Sequence, residues 1–150
     1  MFCKMADAYK TFNEVLVNLY NDIMLIEEKA IITDEFKDIS NNDMHIIDAV
    51  GIDEPKNMTT LAKKLSVTVG TLTIAINNLV KKGYVIRSRS NKDRRVVFIS
   101  LAEKGIAAYN HHAKFHDEMI KAIIKDFSDE EIELVIKALS NLVKFFRSRL

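Results

Sequence analysis

The hydrophobic period of this chain switches at Gly83, and that switch narrows the fold more than any other feature. From Val69 to Lys82, the residues Leu72, Ala75, Ile76, Leu79 and Val80 recur at the i, i+3, i+4, i+7, i+8 spacing of one buried helical face. Thr68 stands where a hydroxyl accepts from an unpaired first-turn N–H, and Gly83 where a left-handed residue ends a helix. Beyond it, Tyr84–Ile86 and Val96–Ile99 are β-branched and aromatic and flank the polar run Arg89–Arg95, which predicts a β-hairpin. Upstream, Thr59–Leu65 reads as a shorter helix with Thr59 as its cap and Leu61, Ala62 and Leu65 turned inward. Two short helices joined by a tight turn and followed by a hairpin spell a winged helix-turn-helix.

The outward face of the second helix carries Gly70, Thr73, Ile74, Asn77, Asn78 and Lys81, with no acid among them. A solvated helix normally mixes both signs of charge there, whereas short donors and acceptors with lysine suit phosphates and base edges. The charge is segregated along the chain. Lys56–Arg95 holds ten Lys and Arg against one acid, Asp93, for a net +9, while the remainder holds twelve basic and twenty acidic residues, for −8. A basic block inside a near-neutral chain predicts a polyanionic partner. Arg94 and Arg95 at the hairpin tip are expected to enter a minor groove, where narrow A·T-rich sequence concentrates negative potential, with Asp93 orienting one of them. A winged-helix module that binds an acidic protein through the same surface is the competing reading, and sequence preference for duplex DNA separates the two.

The flanking segments are helical. Tyr9, Phe12, Leu16, Leu19, Tyr20, Ile23 and Ile26 keep helical spacing over about Met5–Ile31. Ser40 or Asn42 caps a helix over Asp43–Val50 that ends at Gly51, and Pro55 marks the following loop. Ala102–Asp126 is again periodic, and Ser128 with Glu131 forms a capping box for a last helix bearing Ile132, Val135, Ile136, Leu139, Leu142, Val143 and Phe146. The expected fold is therefore mainly α with a small β-hairpin wing in one 150-residue chain. Residues 40–101 form the winged helix-turn-helix, and 1–31 with 102–150 form a helical dimerisation region. These outer helices hold more apolar surface than the central unit covers, which predicts a homodimer with two reading helices about one turn of DNA apart.

Other classes are excluded on simple grounds. No glycine loop cradles a phosphate and no nucleophile motif occurs, so no enzymatic activity is expected. The single cysteine, Cys3, forms no internal disulfide, no apolar run spans a bilayer, and no signal peptide is evident, which predicts a cytoplasmic protein without a membrane partner.

The order of elements resembles the MarR family of winged-helix bacterial regulators, with Asp93-Arg94-Arg95 on the family's wing-tip pattern. Within the family it most resembles the repressors of type II fatty-acid synthesis, through NDIMLIEEK (Asn21–Lys29), FKDIS (Phe36–Ser40), DMHIID (Asp43–Asp48), VTVGTLT (Val67–Thr73), INNLVKKGY (Ile76–Tyr84), SRSNKDRRVV (Ser88–Val97) and FHDEM (Phe115–Met119). The resemblance implies a dimeric repressor of palindromic promoter DNA, with a long acyl chain on acyl carrier protein as co-repressor. It places Thr68, Val69, Gly70, Thr71, Thr73, Asn77 and Asn78 on the recognition helix and Arg89, Arg94 and Arg95 on the wing. Lys81 and the wing side chains Arg87, Asn91 and Lys92 complete the DNA set. Ile74 departs from the polar residue expected at its position. It either meets a thymine methyl or is shielded within the dimer.

Three histidines, His111, His112 and His116, share one predicted helix. His112 and His116 are four apart, and with His45 and Glu27 or Glu28 they offer a mixed N/O set for zinc, making a zinc-responsive regulator the alternative. The competing reading has these histidines bracing an effector cavity. An acyl tunnel is expected among Met24, Phe36, Met44, His45, Ile47, His112, Phe115, His116 and Met119, since a tail gains about 0.8 kcal/mol per buried CH₂. Ordinary core packing explains the same apolar residues. No cofactor is expected.

Overall fold

The computed structural model of the chain describes residues 2–31, 33, 35–90, 93 and 95–149, with residues 2–6 as backbone. Among these are six helices, α1 (Phe2–Ile31), α2 (Asn41–Val50), α3 (Met58–Lys64), α4 (Val69–Lys81), α5 (Glu103–Ile124) and α6 (Asp129–Arg147). Three short strands, β1 (Lys56–Asn57), β2 (Val85–Arg89) and β3 (Val97–Leu101), form an antiparallel sheet in the order β1-β3-β2. The mainly helical fold with a β-hairpin wing is the one expected. Two compact units are distinguished, residues 1–113 and 114–150.

Local chemistry sets the boundaries. Ser40 caps α2 in a full capping box: its hydroxyl accepts from the Asp43 N–H and the Asp43 carboxylate accepts from the Ser40 N–H. Asn57, not Thr59, caps α3. Its Oδ1 accepts from the Thr60 N–H at 2.8 Å, so the helix opens at Met58. Asparagine ranks above threonine as a cap because its side-chain oxygen reaches the N3 amide without a β-branch. Thr68 caps α4 as predicted, accepting from the Thr71 N–H at 3.1 Å. Ser66 takes φ +55° in the α3–α4 turn and Gly83 takes φ +81° past the end of α4. β1 carries too few residues to show a period. It is recognised only through its pairing, with Lys56 opposite Ile99 and Asn57 opposite Phe98. β2 runs on to Arg89 because an edge strand tolerates polar residues facing water.

The core of residues 1–113 is built from Met44, Ile47 and Val50 of α2, Leu61 of α3, Leu72, Ile76 and Leu79 of α4, and Ile99 of β3, around Tyr84. Val80, predicted on the inward face of α4, stays more than a third exposed, because α4 packs on a narrower stripe. In residues 114–150, Ser128 and Glu131 form the expected capping box at the start of α6. Leu134, Ile136, Leu139, Val143, Phe145 and Phe146 lie exposed along that helix. On α1, Tyr9, Phe12, Leu16, Leu19 and Tyr20 are exposed likewise.

Tyr84 also centres a polar cluster. Its hydroxyl donates to Asp38 Oδ1 at 2.6 Å, and Lys104 Nζ donates to Asp38 Oδ2 at 3.0 Å while lying 4.2 Å from the Tyr84 ring centroid. Nearby, Lys82 Nζ reaches Asp43 Oδ2 at 2.8 Å. Burial, followed by donation to Asp38, raises the Tyr84 phenol above its ordinary range. The Tyr84 hydrogen bond, followed by that of Lys104, holds Asp38 below the usual carboxylate range. A raised phenol stabilises the fold fully below its unfolded value of about 10 and loses that contribution as pH climbs through the folded value. A lowered carboxyl stabilises fully above about 3.9 and loses its contribution as pH falls through the folded value. Tyr84→Phe is expected to cost about 1–2 kcal/mol at neutral pH. Urea midpoints between pH 3 and 11 should also show the variant losing the alkaline fall and part of the acid fall of the parent.

Candidate nucleic-acid interface

α4 presents its polar side as a helix anchored from behind. Leu72, Ile76 and Leu79 fix its inner stripe, which leaves Thr71, Ile74, Asn77 and Asn78 exposed and Thr73 half-buried. At the N-terminus, the Thr68 and Thr71 hydroxyls are 2.9 Å apart, Val69 is exposed, and Gly70 leaves the first turn open for close approach. The Thr73 hydroxyl donates to the Val69 carbonyl at 2.7 Å. Ile74 is 67% exposed in the chain itself, an apolar side chain in water on the reading face. Lys81 lies exposed in the last turn.

The wing stands beside this helix. Arg87 of β2 donates through Nη1 to Asn77 Oδ1 at 2.6 Å, a contact between strand and helix that spacing along the chain does not reveal. Arg89 is exposed at the end of β2. Asp93 Oδ1 accepts from the Arg95 backbone N–H at 3.0 Å and lies 3.5 Å from Arg95 Nε, which gives Asp93 the orienting position expected of it. The expected contacts of Asn91, Lys92 and Arg94 fall outside the described residues. A groove of about 570 Å³ separates the wing from the starts of α3 and α4, with Lys63 on one wall and Arg95 on the other. Spacing along the chain does not mark Lys63. It becomes notable only once α3 and the wing are seen to face one another.

Not every cation of the basic block is available to a partner. Lys82 is committed to Asp43, Lys64 Nζ donates to the Ala49 carbonyl at 3.2 Å, and Lys56 Nζ donates to the Glu54 carbonyl at 3.4 Å. The described remainder, Lys63, Lys81, Arg87, Arg89 and Arg95, is exposed on α3, α4 and the wing.

Of the metal set, Glu27 and His112 bring ligand atoms within 4.8 Å of each other, whereas the effector candidates fall in differing surroundings. Phe36, Met44 and Ile47 are packed core side chains, and Met24 is half-buried on α1. Glu27 and His112 are buried, and His112 Nδ1 lies 2.8 Å from Asp48 Oδ2. His111 Nε2 meets the Ala30 carbonyl of α1 at 2.9 Å and its ring packs on Phe36. His45 is exposed on α2, where it lines a cavity of about 790 Å³ between α2 and α4, together with Ile46, Ala49, Leu72, Ile74 and Asn78. None of the other effector candidates lines that cavity. In residues 114–150, Phe115, His116 and Met119 are half-buried, and the Phe115 and His116 rings meet edge to face.

A capped recognition helix, a partner helix across a tight turn, and a hairpin bearing arginine define a winged helix-turn-helix DNA-binding protein. Residues 39–97 match the MarR family profile. The HTH-type transcriptional repressor YetL of Bacillus subtilis is 30% identical over 142 residues, spanning 95% of this chain and 78% of that one. The crystal structure of Streptococcus pneumoniae FabT in complex with DNA superposes with a TM-score of 0.87 at 40% identity, covering 95% of this chain and 99% of that one. The Staphylococcus aureus MepR–DNA complex shares the fold, with a TM-score of 0.69 at 22% identity over 93% of this chain and 98% of that one. The chain belongs to the MarR family and is a DNA-binding transcriptional regulator. Among the described residues no helix is long and apolar enough to cross a membrane.

Proposed function

We propose that this regulator is a repressor of fatty-acid biosynthesis genes that binds palindromic promoter DNA as a homodimer. The likeness to FabT in complex with DNA carries the reading, because 40% identity extends over 95% of the chain and so includes the helices outside the reading head. The recognition helix contributes Thr68, Val69, Gly70, Thr71, Thr73, Ile74, Asn77, Asn78 and Lys81, and the wing contributes Arg87, Arg89 and Arg95 with Asn91, Lys92 and Arg94. The exposed apolar stripes of α1 and α6 supply the self-association that pairs two heads on one duplex.

A long acyl chain carried on acyl carrier protein is the effector, acting as a co-repressor. Met24, Phe36, Met44 and Ile47 supply apolar lining near α1 and α2. Three of them are buried core side chains, so an entering tail must part the core, which methionine permits more readily than branched side chains. By linkage, whatever factor the acylated carrier adds to DNA affinity, DNA adds to carrier affinity.

The test is binding to a fatty-acid-synthesis promoter duplex and a scrambled duplex, with and without long-chain acyl carrier protein, after chelation and after zinc addition. Selective binding that tightens about tenfold or more with the acylated carrier alone is the expected result. Equal binding to both duplexes would overturn the promoter reading. Tightening by zinc that is lost in His112→Ala would replace the acyl effector with a metal.

A further inference from the structure

The reading face of α4 has its hydrogen-bonding polarity set before DNA arrives. A hydroxyl carries one hydrogen, and that of Thr73 is spent on the Val69 carbonyl at 2.7 Å, which has no hydrogen to return. Thr73 Oγ1 therefore faces outward as an acceptor only. Asn77 is set the opposite way. Arg87 Nη1 lies 2.6 Å from the Asn77 amide, and a guanidinium has hydrogens and no acceptor, so the atom it meets must be Oδ1. This fixes the flip of the amide and leaves its NH₂ outward.

An asparagine free of such a partner reads adenine by two bonds at once, accepting from N6 and donating to N7. With Arg87 holding one of the two Oδ1 lone pairs that pairing is disfavoured, because the guanidinium brings a second donor up against the adenine amine. A lone NH₂ is best matched by guanine, whose N7 and O6 both accept. Thr73, one turn earlier on the same helix, seeks the reverse, an exocyclic amine of cytosine or adenine. Ile74 beside it, exposed and apolar, matches a thymine methyl. A helical turn of four residues advances roughly 6 Å, against about 3.4 Å per base step, so these contacts fall within about two steps of each other.

Resting on the DNA reading above, we infer that Arg87 is a positioning residue that turns Asn77 from an adenine reader into a guanine reader, with Thr73 as a fixed acceptor for an amine-bearing base. The guanidinium acts through Asn77. Its removal changes which base is chosen at one position of each half-site.

Selection of the full chain against a randomised duplex library, followed by sequencing, tests this in the parent, Asn77→Ala, Arg87→Met, Arg87→Lys and Thr73→Val. The parent is expected to select guanine at the position whose preference vanishes in Asn77→Ala. Arg87→Met should shift that position toward adenine by about tenfold, while Arg87→Lys, which keeps a donor-only head, retains guanine. Thr73→Val should lose about tenfold of selectivity for an amine-bearing base at a second position. Adenine at the Asn77-dependent position of the parent, or an unchanged preference in Arg87→Met, would overturn the inference while leaving sequence-specific binding intact. A parent that selects no consensus would overturn both.

Discussion

Gly105→Ala is expected to lower stability by about 3 kcal/mol or more, at the upper end of overpacking costs. A β-carbon at Gly105 would overlap the Tyr84 carbonyl oxygen, and would stand 3.0 Å from the Tyr84 carbonyl carbon and 3.3 Å from Leu101 Cδ2. Two of these three neighbours are backbone, and that backbone is held. The Tyr84 N–H donates to the Leu79 carbonyl at 2.9 Å, and the Tyr84 carbonyl accepts from the Ala102 N–H at 2.9 Å. Alanine brings about 1 kcal/mol of better helix propensity, which does not offset the displacement of a pinned carbonyl. Since Tyr84 immediately precedes β2 and Gly105 lies in the first turn of α5, the overlap pushes the sheet and that helix apart. Thermal unfolding should show a midpoint lower by about 6–12 °C. A midpoint within 2 °C of the parent, in order-of-magnitude terms no detectable cost, would mean that α5 does not start against Tyr84 as described.

Leu139→Asp is expected to weaken self-association by about a thousandfold. Ile136, Leu139, Val143 and Phe146 recur at helical spacing, and all four are about half exposed in the single chain. An apolar stripe of this length is rare on a monomer and marks a surface that another protein covers. In a two-fold dimer each substitution counts twice. Losing the burial of two leucines removes about 4 kcal/mol, before any cost of desolvating a carboxylate. Sedimentation equilibrium of parent and variant between nanomolar and micromolar concentration measures the change. A parent that stays monomeric throughout would assign the stripe to a different partner and remove the two-headed geometry from the proposed function.

The reading head was largely legible because its signals are local. The 3.6-residue period of α4, the Thr68 cap and the switch at Gly83 each act within a few residues, and the structure shows α4 ending one residue from its predicted end. The capping box of α6 is equally local and is present. What sequence could not show depends on distant residues meeting. β1 exists because Lys56 and Asn57 find β3 more than forty positions away. The Tyr84–Asp38 bond spans 46 positions, and no periodicity reports it. The charge of Arg87 points to DNA, yet its contact with Asn77 requires strand and helix to be adjacent in space. The histidines show the same limit. Their spacing on α5 was plain, but the partners of His111 and His112, the Ala30 carbonyl and Asp48, are more than sixty positions earlier.

The Tyr84 cluster governs when in synthesis the head becomes complete. Recognition helix α4 leaves the ribosome early, but the strand that pairs with β1 and β2 ends at Leu101, and the lysine that closes on Asp38 is Lys104, 66 positions after its partner. Contacts of such separation form only after the intervening chain has been made, and they bring the loop before α2, the end of α4 and the start of α5 together in one step. A growing chain paused after Lys82 would hold both helices of the reading motif yet lack the sheet and the α5 start that hold them in place. The reading surface is encoded in the middle of the chain, but it is assembled by residues translated after it.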